Sequence, residues 1–123
     1  MTSDLGTGFK RTLKKLTASS ADLEIDELQR ERVSQGCQQI ASIDDRAVVT
    51  VYGHVKNVSL APRAGTPTLE AAVYDGSGIL TLVWLGRRRI AGIEPGTNLV
   101  ASGRVSCQDG RRVMYNPHYQ LQA

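Results

Sequence analysis

At 123 residues the chain is the size of one ordinary domain, long enough to bury a core of its own. Hydrophobic residues at 41% and charged residues at 22% are globular proportions, and no apolar run nears the roughly 20 residues a membrane-spanning helix needs. The net charge of +3 is unevenly spread: residues 1–45 carry six bases against eight acids, residues 46–123 nine against four, and eight of those nine bases are arginine.

The basic excess of the second part points to an anionic partner for that part. The N-terminus lacks an apolar stretch followed by a small-residue cleavage site, so a cytoplasmic protein is expected. Leu5, Phe9, Leu13 and Leu16 recur at steps of four, four and three, the spacing of one helix face, with Lys14 and Lys15 suited to its C-terminal end. Ser19 and Asp22 offer a capped start to a second helix over residues 23–35, acidic early and basic late, in which Asp26 and Arg30 can pair across one turn. Gly36 is its expected stop.

From Ala47 the pattern turns to strands. Val48, Val49, Val51 and Tyr52 open a long one that continues past Gly53, where a bulge or bend is expected. Residues 61–67 form a loop, and Leu69, Ala71 and Val73 share one face of a second strand. Asp75-Gly76-Ser77-Gly78 is a turn before a third strand over 79–85, in which Leu80, Leu82 and Trp84 share the core side. Residues 87–93 have room for a helical turn or two. A fourth strand alternates through Leu99, Ala101, Gly103 and Val105. Asp109-Gly110 is a two-residue hairpin signal, and a fifth strand follows over about 111–119.

Five strands with a short helical link between the third and fourth predict a mainly β fold, a five-stranded OB-fold Greek-key barrel with an N-terminal helical extension. An SH3-like barrel also has five strands but does not need the link. Residues 1–37 are assigned to the extension and 38–123 to the OB-fold domain. The extension is expected to pack on the barrel or to serve as an arm for a protein partner.

Two cysteines, Cys37 and Cys107, cannot build a disulfide framework or a four-thiolate site, and His54 and His118 have no ligand-spaced companions. Neither metal nor cofactor is expected. Asp75 sits where aspartate caps its own backbone, and nothing around the cysteines marks a nucleophile, so no enzyme is expected.

Ile40-Ala41-Ser42-Ile43, Val49-Thr50-Val51-Tyr52-Gly53-His54-Val55 and Asp75-Gly76-Ser77-Gly78-Ile79-Leu80 resemble bacterial nucleic-acid-binding OB domains. The wedge domain of the branched-DNA helicase RecG is similar, through Leu80-Thr81-Leu82-Val83-Trp84-Leu85, Pro95-Gly96 and Met114-Tyr115-Asn116-Pro117-His118-Tyr119. The resemblance covers residues 38–120. It departs at Leu85, a position often aromatic in that family, and no phosphate-binding G-x-x-x-x-G-K-[ST] loop is present, so no motor accompanies the barrel.

The resemblance implies a non-enzymatic protein that binds nucleic acid, DNA ahead of RNA, single-stranded or branched, through a basic groove. The alternative is a protein-interaction module built on the same barrel. OB-folds bind oligonucleotides on the face of strands 2 and 3, between the 1–2 and 4–5 loops, with cations on phosphates and rings under bases. The candidates are therefore Arg63 in the first loop, Arg111 and Arg112 after the hairpin, His54 and Lys56 beyond the bend, and Arg87 and Arg88 in the arginine triplet. Tyr74, out of phase with Leu69, Ala71 and Val73, is the candidate stacking ring. Trp84, Tyr115 and Tyr119 are expected to be packing residues.

Overall fold

The computed structural model describes residues 20–122. The helix expected over residues 5–16 and the Ser19 cap lie outside them. Among the described residues there is one α-helix, α1 (Ser20–Ser34), and no helix long and apolar enough to cross a membrane. It ends at the expected glycine. Gly36 takes a φ of 68°, and the amides of Gly36 and Cys37 donate to the Val33 and Arg32 carbonyls at 3.0 Å each, the two bonds of a Schellman motif. The Arg30 side chain bonds the main-chain carbonyl of Asp26 (3.4 Å) and not its carboxylate.

A 3₁₀ turn (Ile40–Ser42) leads into β1 (Val48–Leu60), then β2 (Thr68–Tyr74), β3 (Ile79–Leu85), β4 (Asn98–Gln108), β5 (Arg111–Tyr115) and β6 (His118–Gln122). The pairings run β1-β2-β3-β5-β4 and return from β4 to β1, with β3 and β5 parallel and all others antiparallel. The strands thus close in a ring, with β6 continuing the line of β5 along β4, an OB-like arrangement. Strand β1 serves both sides of the ring: residues 48–54 pair with β4 and residues 54–60 with β2.

Gly53 is needed at that crossover because a Cβ there would lie 2.1 Å from the Val73 side chain. The expected bulge comes three residues later, where the register slips between Val55 and Asn57 and leaves Lys56 as the extra residue. Parity places the core correctly: Leu69, Ala71, Val73, Leu80, Leu82 and Trp84 point inward and are buried. Trp84 meets the Tyr119 ring edge to face at 5.8 Å.

Two expectations need correction. Residues 87–93 form no helix. Gly86 and Gly92 both have positive φ (75° and 83°), and the link is pinned instead by buried Ile90 and Ile93. The fifth strand is not continuous either. Asn116, at φ 48°, breaks it into β5 and β6, donating its amide to the Val83 carbonyl (2.6 Å) while its side chain accepts from Leu85 N (3.1 Å). Asparagine tolerates that left-handed conformation and so ends β3 and redirects the chain at once.

The D-G-S-G turn anchors α1 and the 3₁₀ turn to the sheet. Asp75 Oδ1 accepts from Ser77 N, Ser77 Oγ and Gly78 N, and Oδ2 accepts from Ile40 N (2.8 Å). Gln29 of α1 donates to the Asp75 carbonyl. Gly76 (φ 94°) lies under Ile25 of the helix. Leu28 then packs with Cys37 and Tyr52, a second small cluster between α1 and β1. Burying a leucine contributes roughly 1.5–3 kcal/mol, and packing of this kind, more than propensity, stabilises a helix of this length.

Candidate nucleic-acid interface

The outward side of β2, β3 and β5 brings two of the expected arginines together. In the β1–β2 loop, Arg63 and Thr66 exchange backbone hydrogen bonds at 2.9 Å around Ala64 and Gly65, whose φ values are 50° and 79°. That tight tip fixes the start of Arg63. Its guanidinium donates to Tyr115 Oη (3.1 Å), lies 5.9 Å from the Tyr115 ring centre and reaches Glu70 Oε1 at 3.6 Å. Arg111 follows the β4–β5 hairpin, where Asp109 and Gly110 both take the positive φ of a two-residue turn (50° and 77°). It reaches Thr81 Oγ1 (3.4 Å) and the same Glu70 oxygen (3.7 Å).

Register explains the convergence. Val83 in the middle of β3 is paired on one side with Glu70 and on the other with Tyr115, so all three share the outward face. Val83 and Val113 are buried, and the polar groups stand at the rim around them. Tyr115 Oη in turn donates to Gln108 Oε1 (3.3 Å), which links the ring to the end of β4.

The other expected residues are placed differently. Arg87 and Arg88 are exposed, as is Arg89, with no ion pair or hydrogen bond to any described residue. Their link begins at Gly86, whose amide bonds the Pro67 carbonyl at the end of the Arg63 loop (2.8 Å). Arg112 points to the opposite side of β5 and donates to the Ile43 (3.2 Å) and Ala41 (3.0 Å) carbonyls, holding the 3₁₀ segment. Lys56 and Tyr74 form a pair of their own, with Nζ 4.4 Å from the ring centre.

The half-buried Tyr74 ring also packs against the cluster under α1. With a cation over the ring and the helix beside it, Tyr74→Ala is expected to cost about 1–3 kcal/mol of stability. Oligonucleotide affinity per folded molecule should stay the same. Melting curves and anisotropy titrations on the same samples check this; a tenfold affinity loss at unchanged melting temperature would return Tyr74 to the binding face.

His54 is not brought to the arginines. Its Nδ1 lies 2.8 Å from Asn98 Oδ1 and its Nε2 3.7 Å from Glu24 Oε1, in a cleft of about 400 Å³ lined also by Glu27, Glu31 and Tyr52. Three glutamates from α1 make this cleft unsuited to a polyanion. Burial, with Glu31 nearby, pushes the Tyr52 hydroxyl up from its ordinary pKa. At the helix end, burial raises the Cys37 thiol despite Arg32, so it remains a protonated packing group.

Glu70 and Tyr115 are the residues that sequence reasoning missed as parts of this face. Parity offered a signal for both: Tyr115 is in phase with Arg111 and out of phase with Met114, and Glu70 is in phase with Tyr74.

No protein-family model and no curated protein matches the chain. Among solved structures it is similar to a crystal structure of the p204 HINb domain, with a TM-score of 0.59 and 14% identity over 74% of this chain. The chain spans about half of that structure, 49% of its length. At that identity the similarity bears on the fold alone, and it agrees with the OB-like ring of strands.

Proposed function

We propose that the chain is a non-enzymatic nucleic-acid-binding protein, its ring of strands a five-stranded OB-fold Greek-key barrel with a helical extension. One observation carries the reading: loops from distant parts of the sequence bring Arg63 and Arg111 to one outward face, beside the Tyr115 ring. Paired guanidiniums suit phosphodiester oxygens, and an adjacent ring suits a base, the combination by which single strands are held. The exposed triplet Arg87, Arg88 and Arg89 offers three more cations on a link anchored to the same loop at Gly86. Preference for single-stranded or branched DNA over RNA rests on the resemblance of residues 38–120 to the wedge domain.

Fluorescence anisotropy with labelled single-stranded, duplex and branched probes tests the reading. Binding at micromolar protein in about 50 mM salt is expected, with steep release as salt rises. No change with any probe would sink it.

A second reading, a protein-interaction module, draws support from β6. Among the described residues this strand pairs on one side only, with β4, and it exposes Tyr119 and Leu121; such an edge, without acidic, lysine or arginine side chains, is a ready site for another chain's strand. Binding of a polypeptide without nucleic acid, abolished by a charge placed on β6, distinguishes it.

A further inference from the structure

Glu70 stands outward in the middle of β2, and its side chain is only 15% exposed. Its Oε1 lies 3.6 Å from Arg63 Nη2 and 3.7 Å from Arg111 Nη2. The two guanidiniums, one from each loop flanking the face, therefore converge on a single carboxylate oxygen. Both contacts are ion pairs, longer than hydrogen bonds, and they set an internal anion where a phosphate oxygen would sit between the two arginines.

We infer that Glu70 is a built-in competitor for the phosphate backbone, occupying the seat between Arg63 and Arg111 and holding down the affinity of this face for nucleic acid. The inference rests on the nucleic-acid reading above and assigns the regulation of that same site. With the carboxylate in place, the two arginines and Glu70 present a net charge of +1; without it they present +2. The number of counterions released on binding follows the positive charge offered to the strand, so one carboxylate removes about one phosphate's worth of salt dependence.

An opposite role, in which Glu70 is needed to hold the arginines in position, is disfavoured by their other contacts. Arg63 keeps its bond to Tyr115 Oη (3.1 Å) and Arg111 its contact with Thr81 Oγ1 (3.4 Å), neither of which uses the carboxylate. Both guanidiniums therefore stay presented when Glu70 gives way. The consequence is a face set for weak, quickly reversed binding, able to release one strand for another.

The test compares the wild-type chain, Glu70→Gln and Glu70→Ala in binding a fluorescein-labelled oligothymidylate between about 50 and 200 mM salt, with melting curves on the same samples. Glutamine keeps an acceptor for the arginines and removes only the charge; alanine removes both. The expected result is binding about five- to tenfold tighter at the low-salt end for Glu70→Gln, with a log–log salt slope steeper by about 0.7. Glu70→Ala should move in the same direction. Wild-type binding with both variants equal or weaker at unchanged slope overturns the inference, makes Glu70 a positioning residue, and leaves the nucleic-acid reading standing. Failure of all three proteins to bind overturns that reading, and this inference with it.

Discussion

Asp75→Ala is expected to lower stability by about 3–5 kcal/mol, a large part of the 5–15 kcal/mol that holds a domain of this size folded. The Asp75 carboxylate is fully enclosed and has no cation partner among the described residues. Four donors balance it instead: Ser77 N (2.8 Å), Ser77 Oγ (2.6 Å), Gly78 N (3.1 Å) and Ile40 N (2.8 Å). Alanine strands the Ile40 amide in a site where Ile40 itself has no exposure, so water is poorly placed to replace the bond. Ser77 Oγ also accepts from Ala41 N (3.1 Å), so the loss spreads to the second tether of the 3₁₀ turn. Asp75→Asn should fall between. Its single oxygen can serve either the turn or the Ile40 amide, and its NH₂ group then faces donors on the other side. Thermal unfolding followed by circular dichroism should show the alanine variant melting on the order of 15 °C lower. A shift of only a few degrees would mean that the turn and the 3₁₀ segment are held without the carboxylate.

Much of this architecture can be read along the chain, because its signals are local. Strand β2 alternates to its end because the pleat puts every second residue on the core, and β3 is marked by its apolar run between the Asp75–Gly78 turn and Gly86. Gly36 and the Asp109-Gly110 pair work through backbone conformations that few residue types adopt, so composition alone marks them. What stays hidden is set by partners far away in sequence. Asn116 is an ordinary strand residue until the ends of β3 and β5 meet beside it. Lys56 becomes the bulge two residues after β1 passes from β4 to β2 at His54, a handover set by both partner strands. His54 has the sequence setting of a groove residue, yet α1 sets Glu24 beside it, a fact of docking that no spacing within β1 announces.

The same distinction runs through the candidate site. Arg63 and Arg111 follow from loop positions in the predicted fold, and both reach the same face. The character of that face depends on Glu70, whose meaning appears only when both arginines are seen on one oxygen. Arg111 and Arg112, adjacent and alike in sequence, diverge for a simple reason. Successive strand residues point to opposite sides, so one reaches the outward face and the other the main-chain carbonyls of the 3₁₀ segment.

Replacing Arg63 and Arg111 together by alanine should give the largest change in binding. If each contacts one phosphate, the log–log salt slope on a single strand flattens by about 1.4, and affinity in about 50 mM salt falls on the order of fifty- to a hundredfold. All base sequences should suffer alike, because phosphate contacts position the strand without reading it. Stability should fall by more than the roughly 1 kcal/mol of an exposed pair, because the two arginine side chains are 39% and 58% exposed but Glu70, 15% exposed, loses both cations. The double variant also leaves Glu70 facing the strand as an uncompensated anion, which adds repulsion to the lost attraction. Adding Glu70→Gln to the double variant separates the two. Recovery of part of the affinity assigns that part to repulsion, and what remains lost belongs to the arginines. A folded double variant with unchanged affinity and slope would move the phosphate path off this face, to the exposed triplet at residues 87–89, where the same pair of measurements on a triple alanine variant would then show the flattened slope.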